Sequence, residues 1–121
     1  MTKEQAYHAF WSGFTWKAYD ENTVPENASL PRITYSYGFA EFEYPVALTV
    51  SLWDRSTSWA SVTNKANEIF EAIGLGGKVV PFDGGALWIK RGSPFAQRTA
   101  DENDSIRRIY LNIEVEFFTN K

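Results

Sequence analysis

Apolar side chains recur at helical spacing near the start of the chain: Tyr7, Phe10, Trp11 and Phe14. Steps of three and four residues place them on one face of a helix, which we predict over Lys3–Ser12. Thr2 and Gln5 form a capping-box pattern that satisfies the first free N–H groups of this helix. A second apolar stripe predicts a helix over Trp59–Ile73, with Ser58 as its cap and Gly74 as its left-handed end.

Alternation of apolar and polar residues predicts the strands. The two clearest are Tyr44–Asp54 and Arg108–Phe118; Thr15–Tyr19 and Ile33–Tyr37 are shorter, and Phe39–Glu43 is a candidate hairpin arm. A hairpin is predicted from Lys78–Phe82 and Ala86–Arg91, joined through Asp83-Gly84-Gly85.

The polar segment Gly92–Ser105 follows this hairpin and holds few apolar side chains. We expect it to be a loop that is mobile in the free subunit and ordered on assembly. Two helices among mostly hairpin-linked strands predict a single α+β domain over residues 1–121. Its sheet is expected to be mostly antiparallel, with both helices packed on one face.

Composition narrows the class of protein. The chain has no cysteine, which excludes disulfides and thiolate metal sites, and its net charge of −3 gives no footprint for nucleic acid. No signal peptide or membrane span can be drawn, so we expect a protein of the cytoplasm that does not contact membranes.

Catalytic and ligand-binding patterns are weak. His8 is the only histidine, so it cannot form a two-histidine metal site. The glycine-rich Gly74–Gly77 follows a helix and lacks the Lys-Ser/Thr of a phosphate loop. Asp101–Ser105 begins like a calcium loop, but Ile106 stands where that loop requires glycine. We therefore predict no catalytic residue, no cofactor and no metal.

The chain is rich in aromatic residues, with five Trp, six Tyr and nine Phe. An aromatic-rich core is one explanation; interface anchors are the other, since Trp and Arg are enriched at binding hot spots. The polar and aromatic clusters at strand ends give the candidate interface residues: Trp53, Asp54, Arg55, Trp88, Arg91, Pro94, Gln97, Arg98, Asp101 and Glu102. For Trp53 and Asp54, the alternative is that the indole shields the core and the carboxylate caps a turn.

The order of these features resembles the tail terminator proteins of long-tailed bacteriophages. The matching segments, in chain order, are Pro31-Arg32-Ile33-Thr34-Tyr35, Leu48 through Asp54-Arg55-Ser56, Gly85 through Arg91-Gly92-Ser93-Pro94, and Arg107-Arg108-Ile109-Tyr110. They span nearly the whole chain as an ordered set.

The resemblance implies a ring, typically a hexamer, that docks on the last ring of the tail tube, stops its growth and joins the head connector. The implied partners are the chain itself, the tail tube protein and the connector protein, with DNA only passing through the channel. The implied location is the host cytoplasm during assembly and then the virion tail. Other head–tail joining proteins fit the same features.

Two further classes of function stay open. One is a small enzyme whose only candidate carboxylates are Glu114 and Glu116, which lie side by side on the last strand. The other is a binding protein whose aromatic residues line a ligand pocket.

Overall fold

The structure, a computed structural model, describes residues 1–41 and 44–119. Its elements in chain order are α1 (Lys3–Ser12), β1 (Lys17–Asp20), β2 (Arg32–Tyr35), β3 (Val46–Arg55), α2 (Ala60–Ile73), β4 (Lys78–Phe82), β5 (Gly85–Thr99) and β6 (Ile106–Thr119). The predicted helices, long strands and hairpin are confirmed, and the two short strands are displaced by one or two residues. Residues 39–41 lie outside any strand, and the remainder of the predicted Phe39–Glu43 arm lies outside the described residues.

The strands form one sheet in the order β1-β2-β3-β6-β5-β4. Only the β1–β2 pair is parallel among the described strands, so the predicted α+β fold with a mostly antiparallel sheet is confirmed. The sheet is curled, and α1 contacts both of its edge strands, β1 and β4. Helix α2 contacts the three strands β3, β5 and β6.

The two helices cover one face of the sheet, which we call the inner face. Strand residues on this face are buried with one side of each helix in a single apolar cluster. Tyr7 and Trp11 of α1 and Ile69 of α2 are among its fully buried members. The other face of the sheet, the outer face, carries no helix and is half-exposed along much of β3 and β6.

The helix ends differ in how they match the predictions. Thr2 and Gln5 form the predicted capping box. Helix α2 begins one residue later than predicted: Trp59 is its N-cap and makes no side-chain cap bond, while Ser58 Oγ accepts the N–H of Ala60 at 3.1 Å. Gly74 ends α2 with a positive φ of 76°, but its ψ of 170° lies outside the left-handed helical region.

The predicted loop over Gly92–Ser105 is wrong for its first part. Strand β5 continues to Thr99, with a register shift between Arg91 and Ala96, and pairs with β6 beyond that shift. Backbone hydrogen bonds to β6 hold this stretch although its side chains are polar, and Phe95 packs edge-on against Phe70 with ring centroids 5.2 Å apart. Ordering of the remaining connection, residues 100–105, on assembly stays a prediction.

Candidate protein-interaction surface

One end of the molecule collects the ends of three strands. β3 finishes there, β5 finishes beside it, and β6 begins there, with Trp53 paired to Arg108 and Arg108 paired to Thr99. We call this the arginine end. It holds six of the ten candidate interface residues predicted from the sequence: Trp53, Asp54, Arg55, Arg98, Asp101 and Glu102.

A row of basic side chains crosses the outer face at the arginine end. The register aligns Lys17 with Arg32, Arg32 with Trp53 and Trp53 with Arg108, and paired residues place their side chains on the same face. The guanidinium groups of Arg32 and Arg108 lie 5.4 and 4.3 Å from the indole ring centroid of Trp53. The indole N–H donates to Thr34 Oγ1 at 2.9 Å, which fixes the ring between the two arginines.

Neighbouring oxygen atoms hold the outer-face arginines in place. Arg108 donates from Nε and Nη2 to Ser51 Oγ at 3.2 and 3.0 Å. Arg32 Nη1 donates to the carbonyl oxygen of Ala28 at 3.1 Å. Arg55 is exposed and makes one long bond, from Nη1 to a serine hydroxyl at 3.3 Å. Two of these three guanidinium groups are therefore positioned before any partner arrives.

A second arginine–tryptophan cluster lies on the inner side of the same end. The guanidinium groups of Arg98 and Arg107 lie 4.7 and 5.4 Å from the ring of Trp59, the N-cap of α2. Arg107 also donates to the carbonyl oxygens of Asp104 and Thr57 at 2.7 and 3.0 Å, which ties the β5–β6 and β3–α2 connections together.

The arginines of the arginine end form no ion pair with a carboxylate among the described residues. The ion pairs within residues 1–41 and 44–119 are Met1–Asp83, Lys65–Glu68 and Lys90–Glu116. None of these pairs includes an arginine, so the four guanidinium groups over Trp53 and Trp59, and that of Arg55 nearby, have no carboxylate partner in the described part of the chain. The same end also carries the carboxylates of Asp54, Asp101, Glu102 and Asp104; Asp54 Oδ1 accepts the N–H of Arg55, and Asp101 Oδ1 accepts the N–H of Asn103.

The other four candidates lie away from this cluster or are engaged within the chain. Trp88 lies on the outer face opposite Glu116, eight residues along β6 from Arg108, or about 26 Å. Its indole N–H donates to the carbonyl oxygen of Gly76 at 2.9 Å. Pro94 lies in the irregular stretch of β5, and Gln97 is exposed beside Tyr110.

Arg91 is engaged with the end of α2. It donates from Nε and Nη2 to the carbonyl oxygen of Phe70 at 3.0 and 2.7 Å. Its guanidinium also lies 3.4 Å from the ring centroid of that residue. These contacts make Arg91 a structural residue of the fold.

A separate groove of about 710 Å³ lies between α1 and strands β1 and β2. His8 Nδ1 is hydrogen-bonded to the hydroxyl of Tyr35 at 2.8 Å, and His8 Nε2 to the hydroxyl of Ser12 at 3.2 Å. Burial, and then the charges of Asp20 and Glu4, raises the pKa of Tyr35 to about 12. The groove thus holds a neutral phenol between carboxylates, which the sequence pattern did not reveal because its residues come from three elements.

The sequence interpretation also missed Arg32 and Arg108 as site residues. Both stand in segments that carry the resemblance, but they are 76 positions apart and meet only through the β2–β3–β6 register. The sequence offered one signal for these two arginines: each lies at or near the beginning of a strand, where the chain is polar.

Within residues 1–41 and 44–119, no group of three or more His, Asp or Glu side chains is arranged to hold a metal ion. Neither helix in that part of the chain has the length and apolar composition needed to cross a membrane. Comparison of the chain with protein-family models, curated proteins and solved structures finds no significant match.

Proposed function

We propose that this chain is a virion assembly protein that forms a ring at the end of a phage tail tube. There it stops tube growth and provides the surface that joins the head connector. The proposal comes from the ordered resemblance to tail terminators. The observation that carries it in the structure is the arginine end, where four arginines pack on two tryptophans and make no ion pair with a carboxylate among the described residues.

Such an end suits a contact between protein chains. Trp and Arg dominate binding hot spots because a large flat side chain and a multivalent donor gain most from being desolvated together. The arginine end lies at one extremity of the subunit, and in a ring it would contact a different surface of the neighbouring subunit. A contact between two different surfaces, repeated by rotation, closes into a ring.

The charge distribution favours a protein joint over the channel wall. The chain as a whole carries −3, which lets DNA slide past without adhering. Guanidinium groups without a carboxylate partner would instead bind phosphates if they faced the channel. We therefore place the arginine end in a contact where carboxylates of another chain neutralise it.

Electron microscopy of tail tubes from the phage that carries this gene tests the proposal. Tubes incubated with the protein are expected to gain a ring at one end and to stop elongating. A variant with Arg55→Glu and Arg98→Glu should lose this activity and keep its melting temperature, because both side chains are exposed. Lys78→Glu, an exposed charge reversal on the opposite edge strand, is the matched control. A protein that stays monomeric at high concentration and also leaves tubes uncapped would refute the proposal.

The groove beside α1 favours one alternative, a protein that binds a small molecule. Its volume of about 710 Å³ is in the range of ligand sites. A thermal-melt screen with nucleotides and divalent metals separates the two classes. The assembly proposal predicts no saturable shift, whereas several degrees of stabilisation by a small molecule would favour the alternative.

A further inference from the structure

We infer that the outer face of the arginine end is a carboxylate-binding cleft for an acidic segment of a partner protein chain. The cleft has a volume of about 490 Å³, and its lining includes Leu30, Arg32, Trp53, Arg55, Asp101 and Ile106. The inference deepens the proposed function, on which it rests for the identity of the partner, because it names the chemistry that the partner surface must present.

Arg32 carries the first argument. Its Nη1 donates to a backbone carbonyl, but its Nε is shielded from solvent and has no hydrogen-bond partner within the described residues. Nη2 makes no hydrogen bond there either. The Nε–Nη2 edge of a guanidinium can bind a carboxylate through two parallel bonds; in Arg32 Nη2 is unused, and Nε joins it once the side chain shifts out of its shielded position. A buried donor without an acceptor is uncommon in folded proteins, and a bound ligand oxygen is one way to satisfy it.

Preorganisation supplies the second argument. Arg108 does not line the cleft, but it is fixed by two hydrogen bonds to Ser51 and packs over Trp53, which does, so this wall of the cleft is ordered before a ligand binds. Arg55 is exposed at the mouth of the cleft and held by a single bond of 3.3 Å. It is free to turn toward an incoming carboxylate.

The lining favours a peptide over a nucleic acid. Nucleotide bases bind protein sheets by stacking on exposed aromatic rings, but the ring of Trp53 already packs against two guanidinium groups. Leu30 and Ile106 give the cleft an apolar wall against which the carbon chains of Glu or Asp residues can pack.

The test is an NMR titration of the isotope-labelled full-length protein with N-acetylated, C-amidated hexaglutamate. We expect saturable shifts of the Trp53 indole N–H and the Arg32 Nε–H resonances. Arg32→Gln should weaken binding at least tenfold, and so should Arg55→Gln, which removes an exposed side chain and leaves the fold intact. Lys78→Gln, which removes an exposed positive charge far from the cleft, should leave the affinity within twofold of the wild type.

Two results would overturn the inference. One is the absence of any saturable shift with hexaglutamate. The other is a hexathymidylate titration that moves the same resonances at lower concentration than the peptide, which would assign the cleft to nucleic acid.

The tube assay separates this inference from the proposed function. If the wild type caps tail tubes while hexaglutamate shifts no resonance of the protein, the cleft inference fails and the proposed function stands. If hexaglutamate binds as expected and tubes remain uncapped, the proposed function fails and the cleft stands.

Discussion

Replacing Arg91 and Arg55 separately distinguishes an arginine of the fold from an arginine of the interface. Arg91 donates twice to the carbonyl oxygen of Phe70, which lies in the last turn of α2. Because both N–H groups share one acceptor, they count as one charge-assisted contact of about 1.5–3 kcal/mol. Stacking on the Phe70 ring adds about 0.5–1 kcal/mol at a partly exposed site.

The cost of Arg91→Ala should fall near the lower end of that sum. The Phe70 carbonyl also accepts the N–H of Gly74 at 3.1 Å, so it keeps one donor in the variant. We therefore expect Arg91→Ala to lower the free energy of unfolding by about 2–3 kcal/mol, which corresponds to a melting temperature lower by roughly 10 °C. Arg55→Ala removes one exposed, long hydrogen bond and should change the stability by less than about 0.5 kcal/mol.

Urea unfolding followed by tryptophan fluorescence and far-ultraviolet circular dichroism measures both values. Arg91→Lys is the matched control: it keeps the charge near the helix C-terminus but loses the paired Nε and Nη2 donors and the planar group that stacks on Phe70, so its stability should lie between wild type and alanine. Equal stabilities for Arg91→Ala and Arg55→Ala would refute the assignment of Arg91 to the fold.

Three other predictions concern the stability of the fold. Lys65 is 8% exposed and donates to a carbonyl oxygen, a hydroxyl and a carboxylate, so Lys65→Met should cost about 2 kcal/mol in urea unfolding. A Cβ at Gly92 would lie 2.6 Å from a β6 carbonyl oxygen, so Gly92→Ala should lower the free energy of unfolding by about 1–3 kcal/mol. A Cβ at Gly76 would meet open space, so Gly76→Ala should leave that free energy nearly unchanged. The pKa of Tyr35 is raised to about 12, so its contribution to stability should persist below about pH 10 and be lost as the pH rises toward 12. Tyr35→Phe should flatten that alkaline loss in pH-dependent unfolding.

Elements whose stability comes from a repeating apolar pattern were predictable from the sequence. The apolar residues at helical spacing, among them Tyr7 and Trp11, predicted α1, and the alternation of apolar and polar residues predicted β3 and β6 at the centre of the sheet. Burial of one face of a helix or a strand requires apolar residues at the period of that element. The end of β5 was not predictable in this way. Residues 96–99 form a strand through backbone bonds to β6, which leave no trace in side-chain hydropathy.

Several residues of the candidate surface were predicted from the sequence, but their arrangement in space was not. Trp53, Arg55 and Asp101 were named from local clusters, and the structure places all three in one cleft. Arg32 lines the same cleft because strand β2 pairs in register with β3. The residues next to Arg32 in the sequence do not reveal that register. The contacts of Arg91 with the end of α2 were not predicted, because an arginine near a hairpin looks alike in sequence whether it binds a partner or caps a neighbouring helix; its role in the interface stays a prediction.

A cryo-electron-microscopy reconstruction of a tail tube with this protein bound at its end tests the central claim most directly. The account predicts a closed ring of identical subunits in which the arginine end contacts a neighbouring chain. In that contact, carboxylate oxygens should lie within about 3 Å of the guanidinium groups of Arg32 and Arg55, the distance of a charge-assisted hydrogen bond. A reconstruction without a ring, or one whose arginine end faces solvent or the DNA channel, would contradict it.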